Sequence, residues 1–245
     1  MDQSLLTAAA GMQARLETLD LISNNIANVA TAGYKADHEF YDLFLGAEAE
    51  ADTLGDVTWM PVVEGSAVDF RQAALTSTGG PLDVALDGPG FFAVQGPQGQ
   101  PLYTRNGSFQ RTSDGQLVTA DGLPVQGVGG PLTLPPGIIQ IAEDGTVSVG
   151  EQNVGRLQVV EFPDPRQLVK VGHNYFRPAA ETPPGAPAGA PVRQGRLESA
   201  NVNPAEAAVR LVEVTRQFEM LARAANLVAN EVNKQAIQQI PGAGQ

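Results

Sequence analysis

The chain has 245 residues, no cysteine and a formal net charge of -12, from 15 Lys and Arg against 27 Asp and Glu. The missing thiols exclude disulfides, thiolate metal sites and cysteine nucleophiles, and its two histidines, His38 and His173, share no metal-ligand spacing. So acidic a surface repels phosphate backbones, which argues against nucleic acid as a partner, and no apolar run reaches the roughly 18 residues of a membrane-spanning helix, so no membrane insertion is expected.

Residues 1–33 carry the first predicted element. Leu5, Met12, Leu19 and Ile26 recur every seven positions, with Ala9, Leu16 and Ser23 in the alternate register, the spacing of a coiled-coil seam. A second apolar set, Leu6, Ala10, Leu21, Ile22 and Val29, widens the apolar surface beyond what one partner helix covers. Gln13, Arg15, Glu17 and Asp20 interrupt the apolar positions, so no cleaved secretory signal is expected. The asparagines Asn24, Asn25 and Asn28 suit a helix terminus or hydrogen bonds to a neighbouring subunit, and Gly33 is the expected stop.

Residues 34–79 read as a connecting segment, with an exposed acidic loop at 46–58 and the single tryptophan, Trp59, beside Met60 and Pro61. From about residue 80 to 178 the period changes from seven to two. Runs such as Leu82–Leu86, Phe91–Val94 and Leu157–Val160 are punctuated by Asp87-Gly88, Asn106-Gly107, Asp114-Gly115, Asp121-Gly122 and Asp144-Gly145, dipeptides that supply the positive φ of tight hairpins. This predicts a mainly antiparallel β domain rich in hairpins, with no βαβ alternation. Residues 178–195 are rich in proline and glycine and read as a linker or surface loop, part of a linker and return segment at 179–202.

The last element, 203–240, is the second long helix. Asn203 is placed to cap, Pro204 suits the first helical position and Glu206 completes a capping box. Leu211, Phe218, Ala225 and Val232 form one heptad row, and Val214, Leu221 and Val228 the other. The fold class is therefore α+β: two long terminal helices forming a coiled-coil-like unit, and a central β domain. Two helices on Pro/Gly-rich connections bury little core by themselves, so their remaining apolar faces are expected to find cover in other copies of the chain. Proteolysis is expected to trim both ends and leave a resistant fragment of roughly residues 36–195.

Catalytic readings are weak. Asp83 and Asp87 stand near a hairpin as turn residues rather than as a glycosidase pair. Ser199, Asp69 and His173 lack the Gly-x-Ser-x-Gly elbow of a hydrolase, and the glycines of 127–130 lack the Lys-Ser/Thr of a phosphate loop. No enzyme activity, cofactor or metal is expected. A secreted β-domain adhesin with a helical oligomerisation stalk is the alternative of a different class.

Three stretches carry a resemblance. Residues 22–35, with Asn24, Asn25, Asn28, Thr31, Gly33, Tyr34 and Lys35 at the fixed positions of N-N-x-A-N-x-x-T-x-G-[FY]-[KR], resemble the N-terminal signature of the flagellar rod and hook protein family. Residues 81–92, 103–109 and 115–122 are similar to that family's central domain, and 195–203 with Arg216–Glu219 to its C-terminal region. The length, Met1-Asp2 and the stretch 130–137 look more like its proximal-rod branch than its distal-rod branch. The resemblance implies a structural subunit of the basal-body rod that crosses the periplasm and transmits torque. It further implies export by the flagellar apparatus and packing against copies of itself and neighbouring rod proteins. The heptad residues Leu5, Met12, Leu16, Leu19, Ile26, Leu211, Val214, Phe218, Leu221, Val228 and Val232 are the expected assembly contacts.

Overall fold

A computed structural model of the chain describes residues 3–45, 59–179 and 185–238. The expected acidic loop at 46–58 and residues 180–184 of the expected linker lie outside the described residues, as do the side chains of Leu5, Trp59, Val228 and Val232. The class is α+β, with two long helices and many short antiparallel strands. The chain divides into two compact units, each assembled from separate pieces.

The first unit holds residues 1–27, 37–67 and 203–245. Helix α1 spans Gln3–Ala27 and helix α2 spans Pro204–Gln238, and they pack on one another. Strands β1, Asp37–Leu45, and β2, Trp59–Val68, pair as a ribbon. The start of α2 is capped as its sequence dictates: the Asn203 side-chain oxygen accepts from the backbone N–H of Ala205 at 3.1 Å and of Glu206 at 3.4 Å.

On α2 the face toward α1 contains Leu211, Val214, Phe218, Leu221 and Ala225, the heptad positions, with Val214 buried. On α1 the face differs from the seven-residue row. Ala14, Thr18 and Ile22 are its buried residues, and Gly11 stands against the Leu221 side chain. Thr18 is tolerated there because its hydroxyl donates to the Ala14 carbonyl at 3.0 Å. Small residues on this face let the two helices approach closely. Met12, Leu19 and Ile26 flank it, half-buried, while Ala9, Leu16 and Ser23 point away, with Leu16 48% exposed.

The second unit holds residues 28–36 and 68–202. Its six-stranded antiparallel sheet runs in the order Leu168–Lys170, Tyr175–Pro178, Pro101–Thr104, Phe91–Gln95, Val159–Glu161, Ala186–Pro187. A three-stranded meander, Ile139–Ile141, Thr146–Val149 and Gln152–Arg156, and several two-stranded pairs complete it. Three of the predicted Asp-Gly turns close in the same way: the N–H groups of Gly115, Gly122 and Gly145 donate to the carbonyls of Thr112, Thr119 and Ala142. One core gathers Val84, Leu86, Phe92, Val94, Phe109, Leu117, Val125, Val147 and Val192. A second, aromatic one packs Phe91, Phe162 and Phe176 with Phe70 at 5.2–5.6 Å from two of those rings.

Two expected boundaries move. The first helix ends at Ala27, not near Gly33, because residues 28–36 leave it to join the β unit. The return segment is more than a linker: Ala186–Pro187 edges the main sheet, Val192–Gln194 pairs with Val84–Leu86, and Arg196–Glu198 pairs with Leu75–Ser77. Proline is accommodated in it at the sheet edge, where no further N–H is required.

Candidate functional site

The motif residues 28–35 converge on one buried point of the second unit. The chain turns at Asn28, whose carbonyl accepts from the Thr31 N–H at 2.9 Å while its side-chain oxygen accepts from the Thr31 hydroxyl at 3.3 Å. Gly33 follows in the left-handed region, φ 66°, and its N–H donates to the Glu198 carbonyl at 2.7 Å. A β-carbon there would overlap the backbone of Arg105 and Asn106, so both conformation and space require glycine.

Lys35 is fully buried. Its ammonium lies 2.7 Å from Glu198 Oε1 and donates to the Arg71 carbonyl at 2.7 Å. Glu198, 1% exposed, also accepts from the Ala73 N–H at 2.9 Å through Oε1, and its Oε2 stands 3.4 Å from the Arg105 guanidinium. Arg105 is 5% exposed and lies 5.2 Å from the centre of the Phe91 ring. Its Nε has no partner among the described residues. Two cations thus share one carboxylate away from water. Burial pushes the Lys35 ammonium and the Arg105 guanidinium below their ordinary ranges, and Glu198 opposes both shifts.

Asn201 locks the backbone beside this triad. Its side-chain oxygen accepts from the Ala36 N–H at 2.7 Å, and its amide donates to the Asp69 carbonyl at 2.7 Å. The Asp69 N–H returns a bond to the Ala36 carbonyl at 2.8 Å. Three segments that leave this unit, at Ala36, Val68 and Val202, are therefore held together by one asparagine. Tyr34 is buried, with the Lys170 ammonium 4.2 Å from its ring centre and donating to the Lys35 carbonyl at 3.0 Å. In the helical unit Asn25 makes the matching clamp, accepting from the Asp37 N–H at 3.1 Å and donating to the Asp37 carbonyl at 2.8 Å.

The residues considered for chemistry are otherwise engaged. Asp83 accepts from the Thr78 hydroxyl at 2.6 Å, and Asp87 pairs with Arg193 at 3.3 Å. Ser199 faces Thr76 at 3.0 Å, Asp69 is paired with Arg71, and His173 sits in a turn at φ 47°. Among the described residues no group of three or more His, Asp or Glu could hold a metal ion, and no helix is long and apolar enough to cross a membrane.

Three family models match the chain: "Flagella basal body rod protein" over residues 5–35, "Flagellar hook protein FlgE/F/G D1 domain" over 85–149, and "Flagellar basal body rod FlgEFG protein C-terminal" over 193–238. A flagellar basal-body rod protein FlgF from Caulobacter vibrioides is 35% identical over 98% of this chain and 98% of its own. The chain belongs to the flagellar basal-body rod protein family. A FlgG from Buchnera aphidicola subsp. Schizaphis graminum is 34% identical over 92% of this rod protein and 95% of its own length. A FlgF from Mesorhizobium japonicum is 31% identical over 91% of each. As a member of that family the rod protein is a structural component of the flagellar basal body, and its relatives are structural proteins that build rods.

The buried junction draws one residue from each matched segment: Lys35 ends the first, Arg105 lies within the second and Glu198 within the third. The sequence pattern marks Lys35 only as a motif position and gives no sign of its partners, Glu198 and the Arg71 carbonyl, which stand 163 and 36 positions away. The available signal was a lysine fixed in a motif beside a glycine and an aromatic residue, where an exposed lysine needs no fixed place.

Proposed function

We propose that this rod protein is a non-enzymatic subunit of the proximal rod, assembling through its terminal helices into the shaft that transmits torque across the periplasm. The observation that carries the reading is that large apolar side chains stay uncovered after the helices pack on one another, a single leucine among the described residues of α1 and a row on α2. Leu16 is exposed on α1, and Val209, Met220 and Leu227 are 61%, 61% and 71% exposed on α2. Such rows are covered when subunits pack side by side in a coiled-coil-like array. On this reading the partners are other copies of the chain and neighbouring rod proteins, and the chain reaches them through the flagellar export apparatus. The heptad residues serve in two ways: Leu211, Val214, Phe218 and Leu221 hold α2 to α1, while Leu16, with Met12, Leu19 and Ile26 at its flanks, faces the next subunit.

The near-complete mutual coverage with a FlgF supports the proximal position. FlgG relatives at 33–34% identity favour the distal position as the second reading. Basal bodies isolated from a strain blocked before distal-rod assembly separate the two. Retention of the tagged chain in those particles supports the proximal rod, and its loss from them supports the distal one.

A further inference from the structure

Residues 191–201 are the last part of the β unit to emerge from a chain made N-terminus first, and the pieces they hold are the earliest. Among the described residues, Arg196–Glu198 is the one strand paired with Leu75–Ser77, and Val192–Gln194 the one strand paired with Val84–Leu86. The motif segment depends on the same stretch, since the Gly33 N–H donates to the Glu198 carbonyl and the Asn201 N–H to the Tyr34 carbonyl at 3.3 Å. The middle of the unit does not. Five of the six strands of the main sheet lie within Phe91–Pro178, and every buried residue of the aromatic core falls between Phe91 and Phe176.

Charge sets the order in which these parts can close. Glu198 is the one acid in ion-pair contact with Lys35 or Arg105. Before it arrives, docking residues 28–36 against the sheet buries two like charges together, which is strongly unfavourable without a counter-charge. The Lys35–Glu198 contact also spans 163 positions, and contacts so distant in sequence form late. We propose that residues 191–201 are a closing latch: the sheet within 91–178 folds first, and the leading segments 28–36, Leu75–Ser77 and Val84–Leu86 join it only when Glu198 brings its carboxylate to Lys35 and Arg105. A chain still emerging keeps its leading segments open, and closure marks one complete to Asn201. The order rests on the fold alone; its use in delivery through the export apparatus rests on the reading above.

Pulsed hydrogen exchange during refolding of the full chain tests this order. The N–H groups of Ala93 and Val125, which donate to Gln158 and Leu117, should gain protection in an earlier phase than those of Gly33, Gly195 and Ser199, which donate to Glu198, Asp83 and Ala74. Glu198→Gln keeps the shape of the side chain and removes its charge. It should slow the later phase by about tenfold or more and leave the earlier one unchanged. Should that variant never close, protection of Ala93 and Val125 without protection of Gly33 and Ser199 supports the latch equally. The latch is overturned if both sets gain protection in one phase, or if Glu198→Gln slows or abolishes both alike. These readouts come from the free chain, so their failure leaves the assembly reading standing, and incorporation into basal bodies tests that reading separately.

Discussion

Lys35 has no exposed surface, and its ammonium is neutralised by a carboxylate that it shares with Arg105. Replacing it with methionine keeps most of the length of the side chain and removes the charge, leaving the longer Arg105 contact as the one ion pair of Glu198, beside its bond from the Ala73 N–H. Breaking one side of a buried pair costs about 3–5 kcal/mol, so Lys35→Met should lower the urea midpoint of the β unit by that equivalent. Gly33→Ala should destabilise the same unit by more than about 1 kcal/mol, since alanine at positive φ is strained and its methyl meets the Arg105 backbone. Tyr175 offers a test in alkali. Its hydroxyl is buried within reach of Thr119 at 2.8 Å and Asp121 at 2.7 Å. Burial first, and then Asp121, raise its ionisation above the ordinary range. The unfolded chain releases this proton near pH ~10 while the folded chain retains it. Stability from this group is therefore intact below that pH and falls as pH rises above it. A pH series of unfolding midpoints should show a shallower alkaline decline in Tyr175→Phe than in the parent chain.

At the scale of elements, the two helices differ in how openly their packing is written. Leu211, Val214, Phe218 and Leu221 are large and apolar at heptad spacing, so the buried face of α2 is legible from residue order alone. The buried face of α1 is made of Gly11, Ala14 and Thr18 with Ile22, and small residues carry almost no hydropathy signal. The large side chains of α1 stand on its flank and outer side instead. Two substitutions separate these roles. Ala14→Leu should overpack the helix pair and destabilise it by about 1–3 kcal/mol, read as lost helicity on heating. Leu16→Asp should leave that helicity unchanged and stop incorporation into the rod. The β strands are readable from Asp-Gly turns and alternation. The buried ionic junction is not, because charged residues far apart in sequence read as solvated surface until the fold brings them together.

For the molecule as a whole, the division into units redraws what a protease should leave. Sequence periodicity points to a resistant fragment of roughly residues 36–195, whereas the β unit includes Asn28–Ala36 and continues to Val202. Both added pieces carry the junction: Gly33, Tyr34 and Lys35 in one, Glu198 and Asn201 in the other. Limited proteolysis should therefore trim the helices and stop with both pieces retained, as mass spectrometry of the limit fragments would show. A β unit shortened to begin at residue 36 should unfold in less urea than one beginning at residue 28.

The direct bonds from Gly33 to Glu198 and from Asn201 to Ala36 have a mechanical consequence. A stretch applied between the two termini reaches these few contacts before it reaches the hairpins enclosed in the intervening sequence. The first rupture should shed the end segments and leave the six-stranded sheet relaxed. In an optical trap, Lys35→Met should lower the force of that first event and leave later ones unaltered. The junction would then act as the weak link that spares the rest of the β unit under load.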